Sequence, residues 1–256
     1  MTAPVVREEI GEGHRTPERA EITEWRTAYG LVAGITTRNT SGGDFNLGLC
    51  TPEAAGAVTA RWRAVATSFA TEFPGLTVSR QAHGSRIRQH DAGFEGCLVL
   101  DGYDGHVTRE AGILLTVTVA DCVPVYLADP NTGGIALVHA GWRGIAAGIL
   151  ERAIDRLAGV TGSPRDGFAM HCGVAISGPR YEVGVEVTDR LGVESSGSPR
   201  RVDLREVLTD RAHVAGIRHV TVSPWCTFDQ SAMYFSHRRD GRSAGRMIAY
   251  LGRPLT

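Results

Sequence analysis

Residues 113–144 read ILLTVTVADCVPVYLADPNTGGIALVHAGWRG, and the fold turns on them. Three apolar, β-branched stretches, Ile113 to Val119, Val123 to Ala128 and Gly134 to His139, follow one another closely. Runs of this length and composition fit buried strands. The most apolar window, Ala111 to Ala128, carries Asp121 and Pro124, so it does not read as a membrane span. Trp142 to Ala158 then reads as the clearest helix. Its Ile145, Ile149, Ala153 and Leu157 recur every four residues, with Leu150 and Ile154 beside them.

Working outward, Leu31 to Thr37 and Leu76 to Gln81 read as strands, with a helix from Pro52 to Phe73 between them. Thr51 enters that helix with Pro at its first position, and Pro74-Gly75 ends it. Ser41 to Asp44 reads as a turn. Downstream come a strand at Phe168 to Ile176, helices at Val183 to Leu191 and Asp203 to Ala215, and strands at Ile217 to Val222 and Met247 to Leu251. The Gly192 to Pro199 segment is low in complexity. Residues 1–28 are polar and without periodicity and are expected to form an extended arm. Residues 29–256 then form one compact α/β (α+β) domain, a large mixed sheet flanked by helices.

Composition narrows the chemistry. The 256 residues carry 27 basic and 28 acidic side chains, and every basic one is Arg. The absence of Lys removes Schiff-base, P-loop and lysine general-base mechanisms. A net charge of −1 leaves no overall footprint for nucleic acid or an anionic membrane. The first 30 residues hold no apolar run, and the five cysteines are scattered without a CxxC pair. A cytoplasmic protein without disulfides is expected, monomer or homodimer.

The chain has no GxxxxGK[ST] and no HExxH. Gly241-Arg242-Ser243-Ala244-Gly245 matches GxSxG, but it follows a polar loop and precedes a strand, so it reads as a turn containing Ser. Three segments say more: Gln81-Ala82-His83-Gly84, Ala120-Asp121-Cys122-Val123-Pro124 and Val138-His139-Ala140-Gly141-Trp142-Arg143-Gly144. Each puts a soft or borderline ligand where an apolar element ends. Two His and one Cys suit Zn²⁺ and leave a fourth position for water. A lone buried Cys or His is more often plain core than ligand, so spacing alone carries no metal assignment.

With Thr36-Thr37-Arg38, Asn46-Leu47-Gly48, Tyr181-Glu182-Val183-Gly184, Cys226-Thr227, Ser236 to Asp240 and Gly245-Arg246-Met247, the three segments resemble, in order, the laccase-domain or multicopper polyphenol oxidase family. That family also goes by the name purine nucleoside phosphorylase and includes peptidoglycan editing factors. The resemblance runs over residues 31–251. It implies a compact single-domain fold of layered sheets and helices, with zinc held by His83, Cys122 and His139. It also implies phosphorolysis of adenosine, inosine and methylthioadenosine, and deamination of adenosine. Arg38, Asn46, Asp121, Arg143 and Arg238 fall on recurrent polar positions of the family. Asp121 joins the three ligands as a catalytic candidate, and Arg38, Asn46, Arg143 and Arg238 are candidates for binding substrate and phosphate. Val174 stands where the family usually has Pro, and Ala82 where Val is commoner.

Copper oxidase (laccase) activity is disfavoured. Multicopper oxidases take many His ligands, largely as HxH pairs, whereas this chain has nine His and no HxH. The same three ligands would nevertheless accept Cu²⁺ in place of Zn²⁺. For deamination, water activated at the metal would attack C6 of adenine while Asp121 moves protons. Asp121 reads equally well as a capping carboxylate or one that orients a His ligand. For phosphorolysis, phosphate attacks the ribose C1′ and needs an anion site. Arg143 and Gly144 at the start of the helix after His139 are candidates, as are Arg38, Arg238 and Arg246. The rival readings are a peptidoglycan-precursor editing enzyme and a zinc-stabilised accessory protein without turnover.

Overall fold

The three apolar stretches are strands, Ile113–Val119, Val123–Asp129 and Gly134–Ala140, and almost every side chain in them is buried. They do not share one sheet. In the computed structural model, which describes residues 3–10, 17–40, 43–194 and 200–255, the expected large sheet is two stacked mixed sheets. One has seven strands in the order Glu9–Ile10, Arg19–Glu21, Val32–Thr36, Met247–Gly252, Ile113–Val119, Gly75–Arg80 and Gly96–Asp101. The other has six, ordered His219–Val222, Ala169–Cys172, Val123–Asp129, Gly134–Ala140, Gly105–Thr108 and Ile87–His90.

Alternation along the strands builds four layers. Leu114, Ile248 and Tyr250 point outward and pack under Val58, Trp62, Val65 and Phe69 of helix Ala55–Phe69. Ile113, Leu115 and Val117 point inward and meet Tyr126, Ala128, Ile135 and Leu137 between the sheets. Val125, Leu127, Ala136 and Val138 face the helices Ile149–Thr161 and Leu204–Val214. With an apolar layer on each side, the central strands keep no polar face, which is why they read as continuous runs. Each such burial stabilises the fold by roughly 1.5–3 kcal/mol.

Several expectations are corrected. The helix expected over Trp142 to Ala158 is two, Trp142–Ala146 and Ile149–Thr161, broken at Gly148 with φ +78°. The helix expected from Pro52 begins only at Ala55. Strands Ile87–His90 and Gly105–Thr108 were not legible because each has a single aliphatic residue, and Gly96–Asp101 was missed because its short run Cys97 to Leu100 shows no alternation. The boundary at residue 28 does not mark off an arm. Arg19–Glu21 pairs with Val32–Thr36, and Ala20, Ile22 and Trp25 are buried between the sheets. A charged sequence hid this short apolar stripe. Residues 195–199 of the low-complexity segment lie outside the described residues, as do 41 and 42 of the expected turn. No helix among the described residues is long and apolar enough to cross a membrane.

Candidate active site

The candidate site opens where two parallel strands part. Gly75–Arg80 and Ile113–Val119 pair only at Gly75–Ile113 and Leu76–Leu114. Beyond that point side chains replace the ladder. The Thr116 amide donates to Thr77 Oγ1 at 2.9 Å, and Gln81 Oε1 accepts from the Thr118 amide at 2.6 Å and from its hydroxyl at 2.8 Å. A cleft of about 420 Å³ forms there, within the usual range for small-molecule sites.

The turn Ala120-Asp121-Cys122, the loop after Arg80 and the end of strand Gly134–Ala140 converge on this cleft. They bring ligand atoms of His83, Cys122 and His139 within 4.8 Å of one another. Among the described residues this is the one cluster of three or more such donors. His83 is exposed, Cys122 half-buried and His139 buried. Asp104, absent from the sequence-based candidates, organises two of them. Its Oδ1 lies 3.1 Å from His139 Nδ1 and accepts the His83 amide at 2.8 Å, while Oδ2 accepts the amides of Ala82 and Gly84 at 3.2 and 2.8 Å. A fully buried carboxylate thus orients one ligand ring and closes the loop that carries another.

Backbone strain gathers at the same place. His83 (φ 57°) and Asp121 (φ 93°) are the non-glycine residues with positive φ among the described residues. Such conformations cost about 1–3 kcal/mol each and persist only where the surroundings over-determine them. Asp104 supplies that for His83. For Asp121, Oδ1 accepts the Thr227 hydroxyl and Oδ2 the Arg238 amide, both at 2.6 Å, and its carbonyl accepts the Ile176 amide at 3.0 Å. The strained turn lets two adjacent residues reach the same space, since Asp121 and Cys122 both line the cleft.

The glycines of the His139–Gly144 segment keep the site open and tight. A Cβ on Gly141 would lie 2.8 Å from Cys122 Sγ, and one on Gly144 2.8 Å from the Gly84 carbonyl. Burial pushes the Cys122 thiol up, but the charge and hydrogen bond of His139, joined by those of His83, outweigh it and bring it down. Burial likewise opposes a charge on His139, but Cys122 and Asp104 raise it. Metal-free, the pair favours thiolate and imidazolium.

The other candidates divide. Arg143 and Arg238 line the cleft, each over an aromatic ring that also lines it: Arg143 stacks 4.2 Å from Trp142, and Arg238 4.9 Å from Tyr181. Arg246 lines it too, with Nη1 donating to the Ala244 and Gly245 carbonyls at 2.7 and 2.9 Å. Burial lowers the Arg246 pKa, and none of these three has a carboxylate partner among the described residues. Arg38 and Asn46 stand away from the cleft lining. Arg38 pairs with Asp44 at 2.7 Å and stacks on Phe235. Asn46 is saturated by Thr51, Glu53, Gly48 and the Arg246 amide and serves as a loop fastener. Arg143 sits on a five-residue helix, so the expected contribution of free N–H groups there is small. Val174 packs into the layer between the sheets. The GxSxG stretch forms a short 3₁₀ turn after helix His237–Asp240, not a strand-to-helix elbow.

Fold and site together define an α/β sandwich with a His/Cys/His cradle at its strand ends. Residues 32–254 match the family model described as multi-copper polyphenol oxidoreductase laccase, and the chain belongs to that family. It is 33% identical to purine nucleoside phosphorylase YlmD of Geobacillus stearothermophilus, over 88% of this chain and 90% of that protein. It is also 33% identical to a purine nucleoside phosphorylase of Streptomyces coelicolor, over 81% and 87%. The crystal structure of G. stearothermophilus YlmD superposes with a TM-score of 0.84 at 30% identity, covering 97% of this chain and 100% of that one. YfiH of Bacillus licheniformis, described as a hypothetical protein, superposes at 0.83 with 28% identity, over 92% and 96%.

Proposed function

We propose that the cleft is a purine nucleoside phosphorylase site acting on adenosine, inosine and methylthioadenosine in the cytoplasm. The observation that carries this is the set of three guanidiniums without carboxylate partners among the described residues, Arg143, Arg238 and Arg246, around a cleft that also holds two aromatic rings. Cations left unpaired in a half-enclosed cleft form an anion site, and Arg forks match phosphate oxygens. Trp142 and Tyr181 offer flat apolar faces to a purine. In phosphorolysis a phosphate oxygen forms a bond to C1′ as the bond to N9 breaks. The three arginines hold the phosphate, and the rings hold the base in line with it.

The cradle fits a metal ion. Three donors converge, Asp104 fixes one ligand ring, and Gly141 leaves the thiol clear. His83, Cys122 and His139 would hold zinc, which supplies positive charge that polarises a bound oxygen. Copper would enter the same ligands. One cluster of three donors among the described residues is too small a set for a multicopper centre, which argues against polyphenol oxidation as the native reaction. Deamination of adenosine, in which water replaces the C6 amino group and ammonia leaves, is proposed for the same cleft, with Asp121 beside Cys122 handling the proton.

Supplying adenosine with and without phosphate, and separating adenine, inosine and hypoxanthine, tests both reactions. Adenine that appears only with phosphate supports phosphorolysis, and inosine formed without phosphate supports deamination. Absence of both products would overturn the reading in favour of an editing enzyme or an accessory protein. Turnover of amino-acid-linked muramyl nucleotides separates those two.

A further inference from the structure

The layer between the sheets is apolar over most of its extent, but beside the cleft it carries a chain of three polar side chains from three strands. Ser79 lines the cleft from strand Gly75–Arg80. Its Oγ lies 3.0 Å from His106 Nε2, on strand Gly105–Thr108 of the opposite sheet. His106 Nδ1 lies 3.1 Å from His90 Nε2, on the edge strand Ile87–His90. All three are buried, His106 completely. His90 Nδ1 has no hydrogen-bond partner among the described residues and is not among the side-chain atoms sealed from solvent, so it is the outer end of the chain.

Both rings are neutral in the fold. Burial, with help from Arg88, pulls His90 down to about 4, and burial with help from His90 pulls His106 down to about 3. A neutral imidazole has one N–H and one bare nitrogen. Two in series, ending on a hydroxyl, have two complete hydrogen-bond patterns that differ only in direction. A buried polar chain reaching from a cleft to a sheet edge is a costly way to fill a core that Leu or Val would fill, since its members must all stay satisfied.

Resting on the phosphorylase reading, we propose that Ser79, His106 and His90 conduct the proton that the purine takes up as it leaves. The Oγ–H of Ser79 passes to the base as the C1′–N9 bond breaks. Ser79 is refilled from His106 Nε2, His106 Nδ1 from His90 Nε2, and His90 Nδ1 from water. The proton that HPO₄²⁻ loses as its oxygen bonds to C1′ goes to solvent, so no net charge remains in the chain. Ser79 is the member that touches substrate, and the two histidines act through it.

A base that needs no proton separates this role from a structural one. Inosine and 7-methylinosine are compared in the whole protein, since the methylated base already carries the positive charge and leaves neutral. His106→Gln keeps a donor and an acceptor in place but cannot relay, and His106→Leu and Ser79→Ala interrupt the chain outright. Each is expected to lower kcat for inosine about 100-fold with KM little changed, the scale of general acid catalysis. The two His106 variants, which do not touch the substrate, are expected to leave kcat for 7-methylinosine within about twofold. Equal losses on both substrates, or full inosine activity in His106→Gln, would overturn the relay. Wild-type protein that cleaves neither nucleoside would instead overturn the phosphorylase reading and take the relay with it.

Discussion

Among the described residues lie two buried carboxylate–histidine pairs, and only one belongs to the candidate site. Asp104 meets His139 at 3.1 Å, and Glu8 meets His171 at 3.2 Å, with both carboxylates sealed from solvent. Around the first, the neighbours are Cys122, His83 and an open cleft. Around the second they are Ser223, whose hydroxyl donates to Glu8 at 2.6 Å, and Thr221, 2.9 Å from the other nitrogen of His171. The second pair is closed on itself and pins the N-terminal segment, which also bridges Val5 to Val222, against the second sheet. A buried Asp/Glu–His pair is therefore no sign of a site. What distinguishes the first is unspent ligand capacity facing a cavity.

That contrast is open to test. Cys122→Ala removes a ligand and is expected to weaken zinc binding by more than about 100-fold, beyond the cost of losing an outer partner. Metal analysis after dialysis checks it, and full zinc retention with full activity would show that the cradle is not a metal centre. Asp104→Asn should weaken zinc binding about 10–100-fold, because either orientation of the amide turns NH₂ toward a backbone N–H that the carboxylate now accepts. A competition titration against a chelator reads the change. Arg246→Met should raise KM for phosphate roughly 10–100-fold, the loss of a charge-assisted hydrogen bond, with little change in KM for the nucleoside.

Glu8→Ala should cost about 1–3 kcal/mol by leaving His171 and Ser223 short of a partner. Urea unfolding measures it. Zinc content and KM should stay as in the wild type, and a fall in zinc would erase the distinction between the two pairs. Arg38→Ala is expected to have the smallest effect, at most about 1 kcal/mol for a partly exposed ion pair, with the phosphate KM unmoved. A raised phosphate KM there would move the anion site toward Asp44 and away from the cleft.

Much of the layered fold was legible because the central strands are apolar on both faces and helix Ile149–Thr161 has a sharp stripe. The edge strands were not, since Ile87–His90 has one aliphatic side chain and the four apolar residues of Gly96–Asp101 show no alternation, so pairing with their neighbours defines them. Glu8, Ala20, Ile22 and Trp25 hid in a charged segment for the same reason. Among the site candidates, His83, Asp121, Cys122, His139, Arg143, Arg238 and Arg246 come together, while Arg38 and Asn46 do not line the cleft. Asp104 and Ser79 had no signal of their own. Asp104 lies in a glycine-flanked turn, Gly102-Tyr103-Asp104-Gly105, whose meaning depends on the His83 loop it closes.

The sequence by itself determined what chemistry was on offer: cationic contacts by Arg alone, three soft or borderline ligands at the ends of apolar runs, and enough apolar residues for a double layer of strands. Those are properties of composition and local order. The tertiary structure alone decided which of these groups share a cleft, that Asp104 and not Asp121 orients His139, and that a Ser–His–His chain crosses between the sheets. These are contacts between residues distant in sequence, set by how two sheets stack and where two parallel strands part.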